Sequence, residues 1–294
     1  MPCYHPIQAW MIPGNAARKS KVFFNLADSP IPPSYLTPVK LPCGKCIGCR
    51  LERSRQWAMR CVYESQLHRE NCFITLTYDD ACCPRDMSLV PRDLQLFFKR
   101  LRKTYSEKRI RFFACGEYGE HTLRPHYHAC LFGIDFTKGM KRKTVETETG
   151  IKVVKFNSDL NRVWGLGNTF VGSMTFESAA YVARYCTKKV LGAAADAHYN
   201  GRVPEFVRMS RRPGIGGTWF DCYGLQSMRL DTCVSRGVAC RPPKYFDKLT
   251  ERIDAVLMAS LREKRIANLI DIEPAELRRM EEVRYLNLTR KRGF

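Results

Sequence analysis

The chain has 294 residues, with 49 Lys plus Arg against 29 Asp plus Glu, giving a formal net charge of +20. Hydrophobic residues make up 45% and aromatics 11%, which excludes a disordered basic tail. A folded chain with that cationic excess is expected to meet a polyanion, and nucleic acid is the commonest. No run approaches the ~18 apolar residues of a membrane span. The opening Met1-Pro2-Cys3-Tyr4-His5 lacks the basic-then-apolar order of a secretion signal. No membrane contact is expected. The 14 cysteines then belong in a reducing compartment, as buried small hydrophobes or metal ligands.

Residues 1–40 read as irregular, because Pro13-Gly14, Pro30, Pro32-Pro33 and Pro38 leave little room for a long helix. The triplet Cys43, Cys46 and Cys49 then opens a helical pattern with Leu51, Ala58, Cys61, Val62 and Ser65 on one face. A strand is expected at Cys72 to Tyr78 (CFITLTY). The next helix runs from Arg92 to Lys103, with Leu94, Phe97, Phe98 and Leu101 as its buried stripe.

Two further strands, Ile110 to Glu117 and His126 to Phe132, flank the polar turn Tyr118 to Pro125. Gly139 to Gly150 reads as a loop or hairpin tip, followed by a short strand at Lys152 to Phe156. The last core helix is Ser178 to Leu191, stopped by Gly192. Beyond it, 200–245 has little periodicity, and the charged tail from Pro242 reads mostly as a solvated helical hairpin interrupted at Pro274. The expected fold class is α+β, with a central, mainly antiparallel sheet flanked by helices. Four segments are expected: a cysteine-bearing extension (1–50), a central α+β domain (51–200), an arginine- and glycine-rich region (201–245) and a helical tail (246–294).

Three features bear on chemistry. The strand period of two sends His126 and His128 to one face, where two imidazoles can share a metal ion; the alternative is two histidines hydrogen-bonded on a half-buried sheet. Glu117, at the end of the preceding strand, is the preferred carboxylate ligand over Glu120, which lies further into the turn. Tyr181 and Tyr185, at i and i+4, share a helical face, with Lys188 and Lys189 within one turn to supply a cation or clamp a phosphate. A tyrosine with a free pKa of ~10 is a weak nucleophile, so attack on phosphate needs a metal-polarised phosphorus or a nearby cation. Simple core packing of both rings is the alternative.

In this order, CFITLTY, HYHAC and YVARYCTKK resemble the first strand motif, the metal motif and the tyrosine helix of the HUH endonuclease superfamily of rolling-circle initiators, relaxases and transposases. The segments MPCYHPIQAW, PCGKCIGCRLERSRQWAMRC, ACGEYGEHTLRPHYHAC, MSRRPGIGGTWFD and RPPKYFDKL look like the replication initiators of gokushoviruses, small single-stranded DNA phages of the microvirus family. The stretch from Asp221 to Arg241 departs from that pattern. The resemblance implies Mg²⁺ or Mn²⁺ held by His126, His128 and Glu117. It also implies a 5′-phosphotyrosine formed on Tyr181 or Tyr185, and action on single- and double-stranded phage origin DNA in the bacterial cytoplasm. The glycine-rich piece Gly214 to Gly217 lacks the Lys-Ser/Thr of a nucleotide-binding loop, so host helicase and host DNA polymerase are the expected partners. A two-tyrosine transposase or relaxase, and a non-catalytic zinc-bearing DNA-binding or packaging protein, are the competing expectations.

Cys43, Cys46 and Cys49 have the spacing of zinc thiolates, with Cys3, His5 and Cys61 as candidates for a fourth ligand. A glycine-rich turn of reduced thiols without metal is the alternative. Arg53, Arg211 and Arg212, with Lys189, are the candidate DNA-backbone contacts, where charge gives affinity without sequence information.

Overall fold

A computed structural model describes residues 3–12, 14, 20–119, 122–147, 150–185, 190, 194–268 and 272–290; the side chains of 145–147, 150–152, 185 and 288–290 lie outside the description. The chain divides into two compact units, Met1–Arg53 with Leu269–Phe294, and Ser54–Asn268.

In the first unit, β1 (Ile7–Ile12), β2 (Lys21–Phe23) and β3 (Thr37–Leu41) form an antiparallel sheet in the order β2-β1-β3. This corrects the expectation of an irregular start. Prolines forbid a helix here but not a strand: Pro38 sits in β3, an edge strand, opposite Trp10. Helix α1 (Ile47–Gln66) begins at the cysteine triplet.

The second unit is built on β4 (Asn71–Tyr78), α2 (Pro91–Thr104), β5 (Arg111–Tyr118) and β6 (Pro125–Phe132). The hairpin β7 (Lys141–Thr147) and β8 (Gly150–Phe156) follows, then α3 (Ser158–Trp164), β9 (Gly167–Gly172), α4 (Phe176–Tyr185), α5 (Ala194–Tyr199) and β10 (Phe206–Met209). The central sheet has the order β10-β5-β6-β4-β9, with every neighbouring pair antiparallel. The α+β architecture with a central antiparallel sheet is therefore as expected.

Alternation along the strands builds two layers. Ile74, Leu76, Tyr127, Ala129 and Leu131 face α2 and α3, where Leu94, Phe97, Leu101 and Trp164 are buried. Each such Leu or Phe contributes about 1.5–3 kcal/mol by leaving water. The alternate set, Phe113, Cys115, Cys130 and Phe132, faces α1 and α4 through Ala58, Cys61, Ala179, Val182 and Ala183. Because β6 carries His126 and His128 at the same parity as Cys130, both histidines face the α4 side.

Helix α3 and strand β9 are among the central-unit elements not anticipated. Asn157 caps α3, its side chain accepting from the Asp159 and Leu160 N–H groups, and Gly165 closes the helix in the left-handed region. Gly167, at φ +148°, starts β9 where a Cβ would lie 2.3 Å from the Asp79 nitrogen, so only glycine fits.

The segment 201–245 is more ordered than its composition suggests. It holds β10, the helical run α6 (Gly217–Trp219), a π-helical turn (Phe220–Gly224) and α7 (Leu225–Arg229), then the hairpin β11 (Cys233–Ser235) and β12 (Val238–Cys240). Helices α8 (Lys244–Ile253) and α9 (Ala255–Ala267) pack here rather than standing in solvent: Phe246, Met258 and Leu261 are buried with Met59, Tyr63, Trp219 and Phe220. Helix α10 (Pro274–Arg290) belongs to the other unit. The solvated-hairpin expectation fails because the apolar stripe of α8 and α9 has a partner surface.

A buried ion pair ties the layers together. Arg111 pairs with Glu64 and donates to the Pro213 carbonyl at 2.8 Å, while the Gly216 N–H donates to Glu64 at 2.7 Å. Among the described residues, no helix is long and apolar enough to cross a membrane.

Candidate active site

His126, His128 and Glu117 converge on the α4 face of the sheet. The register pairs Glu117 with His126 and Cys115 with His128 across β5 and β6. The Nε2 atoms of His126 and His128 lie 2.7 and 2.8 Å from the same oxygen, Glu117 Oε1. Glu117 and His128 are buried, at 2% and 5% exposure.

The remaining ring nitrogens define the chemistry. His126 Nδ1 lies 3.0 Å from the Arg124 carbonyl, which can only accept, so Nδ1 carries the proton. Its Nε2 then faces the Glu117 carboxylate oxygen, the position a metal ligand would occupy. His128 Nδ1 is held by the Thr75 hydroxyl at 2.8 Å, and the second carboxylate oxygen, Glu117 Oε2, is buried without a hydrogen-bond partner among the described residues. Burial pushes the Glu117 carboxyl up, but the hydrogen bonds and charges of both histidines outweigh it and hold the group below the usual carboxylate range. Two imidazole nitrogens and a buried carboxylate with one unpartnered oxygen, all within 4.8 Å of one another, fit a divalent cation.

Tyr181 reaches the same place from α4. Its ring stands edge-on to His128, with centroids 5.0 Å apart, and edge-on to Phe73 at 6.3 Å. Phe73 in turn stacks on His128 at 5.6 Å. Tyr185 closes α4 one turn later, its side chain outside the described residues. Lys188, Lys189 and Glu120 also lie outside the described residues.

Thr75 and Phe73 were not anticipated as part of this site. Their signal was available in the alternation of CFITLTY, which puts Phe73, Thr75 and Thr77 on one face, with Thr75 opposite His128.

Arg211 and Arg212 are exposed on a loop fastened behind them: Ser210 N–H donates to the Phe112 carbonyl, Phe112 N–H donates to Ser210 Oγ, and Arg111 holds Pro213. Arg53 is exposed. Other arginines serve structure. Arg60 lies between the Trp57 and Tyr245 rings at 3.9 Å from each and donates to the Ile215 carbonyl, and Arg55 donates to the Arg241 carbonyl.

In the other unit the sulfurs of Cys3, Cys43, Cys46 and Cys49 lie within 4.8 Å of one another. Of the other fourth-ligand candidates, His5 is exposed and paired with Glu281 at 2.5 Å, and Cys61 is buried in the central core.

A His-His-Glu cluster that could hold a metal ion thus lies on an antiparallel sheet, with a tyrosine ring from a packed helix at its edge. The family described as Replication-associated protein ORF2/G2P matches residues 71–190, the span that carries this site. The chain is 32% identical over 284 residues to Replication-associated protein ORF2 of Spiroplasma virus 4, covering 90% of this chain and 86% of that protein. It is 34% identical over 223 residues to Replication-associated protein VP4 of Bdellovibrio phage phiMH2K (72% of this chain, 67% of that protein), and 31% identical over 221 residues to Replication-associated protein ORF4 of Chlamydia phage 1 (72% and 54%). The chain belongs to this family of phage replication-associated proteins. No solved structure gives a significant match.

Proposed function

We propose that the chain is a rolling-circle replication initiator of the HUH type, which nicks and rejoins single-stranded phage origin DNA in the cytoplasm of the bacterial host. The observation that carries this is the convergence of His126 and His128 on Glu117 beside the ring of Tyr181. The names of the relatives support a role in phage replication.

His126, His128 and Glu117 would hold Mg²⁺ or Mn²⁺, which when bound acts as a Lewis acid on the scissile phosphate. The Arg124 carbonyl, accepting from His126 Nδ1, and the Thr75 hydroxyl, bonded to His128 Nδ1, would orient each ring with Nε2 toward the ion. The Tyr181 or Tyr185 oxygen attacks phosphorus; an O–P bond forms, the P–O3′ bond breaks, and the phenol proton is balanced by protonation of the departing 3′ oxygen. The free 3′-hydroxyl primes host polymerase while a host helicase separates the strands. The second tyrosine then cleaves the regenerated junction. The new 3′-hydroxyl attacks the first phosphotyrosine, restoring the phenol and closing the circle. Each exchange replaces one phosphodiester by another, so joining consumes no nucleotide. Lys188 and Lys189, which follow in sequence, would clamp the phosphate. Arg211, Arg212, Arg53 and Lys189 would hold the strand's backbone.

The test uses the full-length chain, Mn²⁺ and single-stranded oligonucleotides tiling the phage genome. The expected result is an SDS-stable protein–DNA adduct on an oligonucleotide that is also nicked. Absence of both across the whole genome overturns the proposal.

A further inference from the structure

The nicking reaction leaves the four-cysteine cluster of the first unit without a role. Cys3 comes from the strand-leading N-terminal segment, Cys43 and Cys46 from the loop after β3, and Cys49 from the first turn of α1. Their sulfurs lie within 4.8 Å of one another, and Cys3 Sγ and Cys46 Sγ are 3.8 Å apart. A disulfide needs about 2.05 Å, so these two are not bridged. A tetrahedral zinc tetrathiolate, with Zn–S of about 2.3 Å, has S···S edges of about 3.8 Å.

The backbone is arranged for sulfur that bears charge. N–H groups of Tyr4 and Cys49 point at Cys46 Sγ (3.4 and 3.5 Å), that of Cys46 at Cys43 Sγ (3.3 Å) and that of Cys43 at Cys3 Sγ (3.2 Å). A neutral thiol is a weak acceptor, whereas a thiolate is a strong one. Gly44, at φ +74°, makes the turn that brings Cys43 and Cys46 together. Four thiolates packed this closely repel one another without a cation among them, and Lys45, Arg50 and Arg53 in the same stretch offset the net negative charge that remains.

We infer that Cys3, Cys43, Cys46 and Cys49 form a closed zinc tetrathiolate that staples the N-terminal segment to the start of α1. Four protein ligands leave no open position, so the site is structural, and binding releases the thiol protons to solvent. The staple also shapes the seat of α10: Tyr4 and Cys46 are buried together with Leu277, Ile272 and Met280 pack against them, and His5 pairs with Glu281. Zinc loading therefore holds the C-terminal helix in place.

The test uses the full-length His126→Ala chain, expressed with zinc, so that the other cluster does not contribute. Elemental analysis is expected to find one zinc per chain, and X-ray absorption four sulfur neighbours at about 2.3 Å. Cys3→Ser is expected to lose that zinc. Zinc with a mixed nitrogen or oxygen shell, an iron–sulfur cluster, or a metal-free protein with all four thiols reactive overturns the proposal. Chelation of the loaded protein is expected to increase protease cleavage within 274–287 while the 54–268 unit keeps its protection. Unchanged protection of that helix overturns the stapling role.

Discussion

The ring of Tyr181 stands edge-on to the ring of His128, 5.0 Å between centroids and 88° between planes. Two elements far apart in sequence thus meet at one point, a sheet strand bringing the candidate ligand and α4 the candidate nucleophile. Tyr185 follows at i+4. Tyr181→Phe is expected to abolish the first or the second strand transfer but not both, and only Tyr181→Phe/Tyr185→Phe to abolish adduct formation entirely. Gel analysis of nicking and of joining, on separate substrates, checks this.

Thr75 touches no substrate in this scheme, but its hydroxyl orients His128. Thr75→Val keeps the shape and removes that bond. Outer-shell partners of this kind are worth about 10–100-fold in metal affinity. Isothermal titration with Mn²⁺ is expected to show a loss of that size, with cleavage recovering at high Mn²⁺; unchanged affinity would show that Thr75 does not act through the histidine.

The Glu64–Arg111 pair sets an acid limit on the fold. Burial pushes the Glu64 carboxyl up, but His68, the Gly216 N–H and Arg111 outweigh it, so its folded pKa lies below the usual carboxylate range. The sign follows: the stability this group contributes is fully present above the unfolded value of about 4.3 and is lost as pH falls through the folded one. Glu64→Gln, which leaves Arg111 buried without its partner charge, is expected to cost about 3–5 kcal/mol at neutral pH. Its denaturation midpoint should also fall less steeply than the wild type's below about pH 4. Urea melts across pH check both.

Arg211 and Arg212 project from an anchored loop, so their removal is expected to leave the fold intact. Arg211→Ala/Arg212→Ala should weaken binding to single-stranded oligonucleotides of any sequence. It should also flatten the log–log salt dependence by about 0.7 per lost phosphate contact. Fluorescence anisotropy over a salt series measures the slope.

The strongly periodic elements were legible in the sequence. Leu94, Phe97, Phe98 and Leu101 are all buried on α2, and the alternation around His126 placed both histidines on one face. The preference for Glu117 over Glu120 rested on strand position, and the register sets Glu117 opposite His126. The rest was hidden for physical reasons. β9 is bounded by Gly167 and Gly172, and β10 is four residues long at the sheet edge, so neither carries enough period to read. Pro38 disguised an edge strand. Tertiary packing turns other cations, Arg60 and Arg111, into cation–π and ion-pair partners. The +20 excess therefore overstates the charge available to DNA.

The central claim is a covalent tyrosine intermediate, and mass spectrometry of the trapped, nuclease-trimmed adduct tests it most directly. The proposed chemistry predicts a nucleotide remnant on the peptide containing Tyr181 or Tyr185, linked through a 5′ phosphate. A remnant on any other residue, or nicked DNA with no modified peptide, would contradict it.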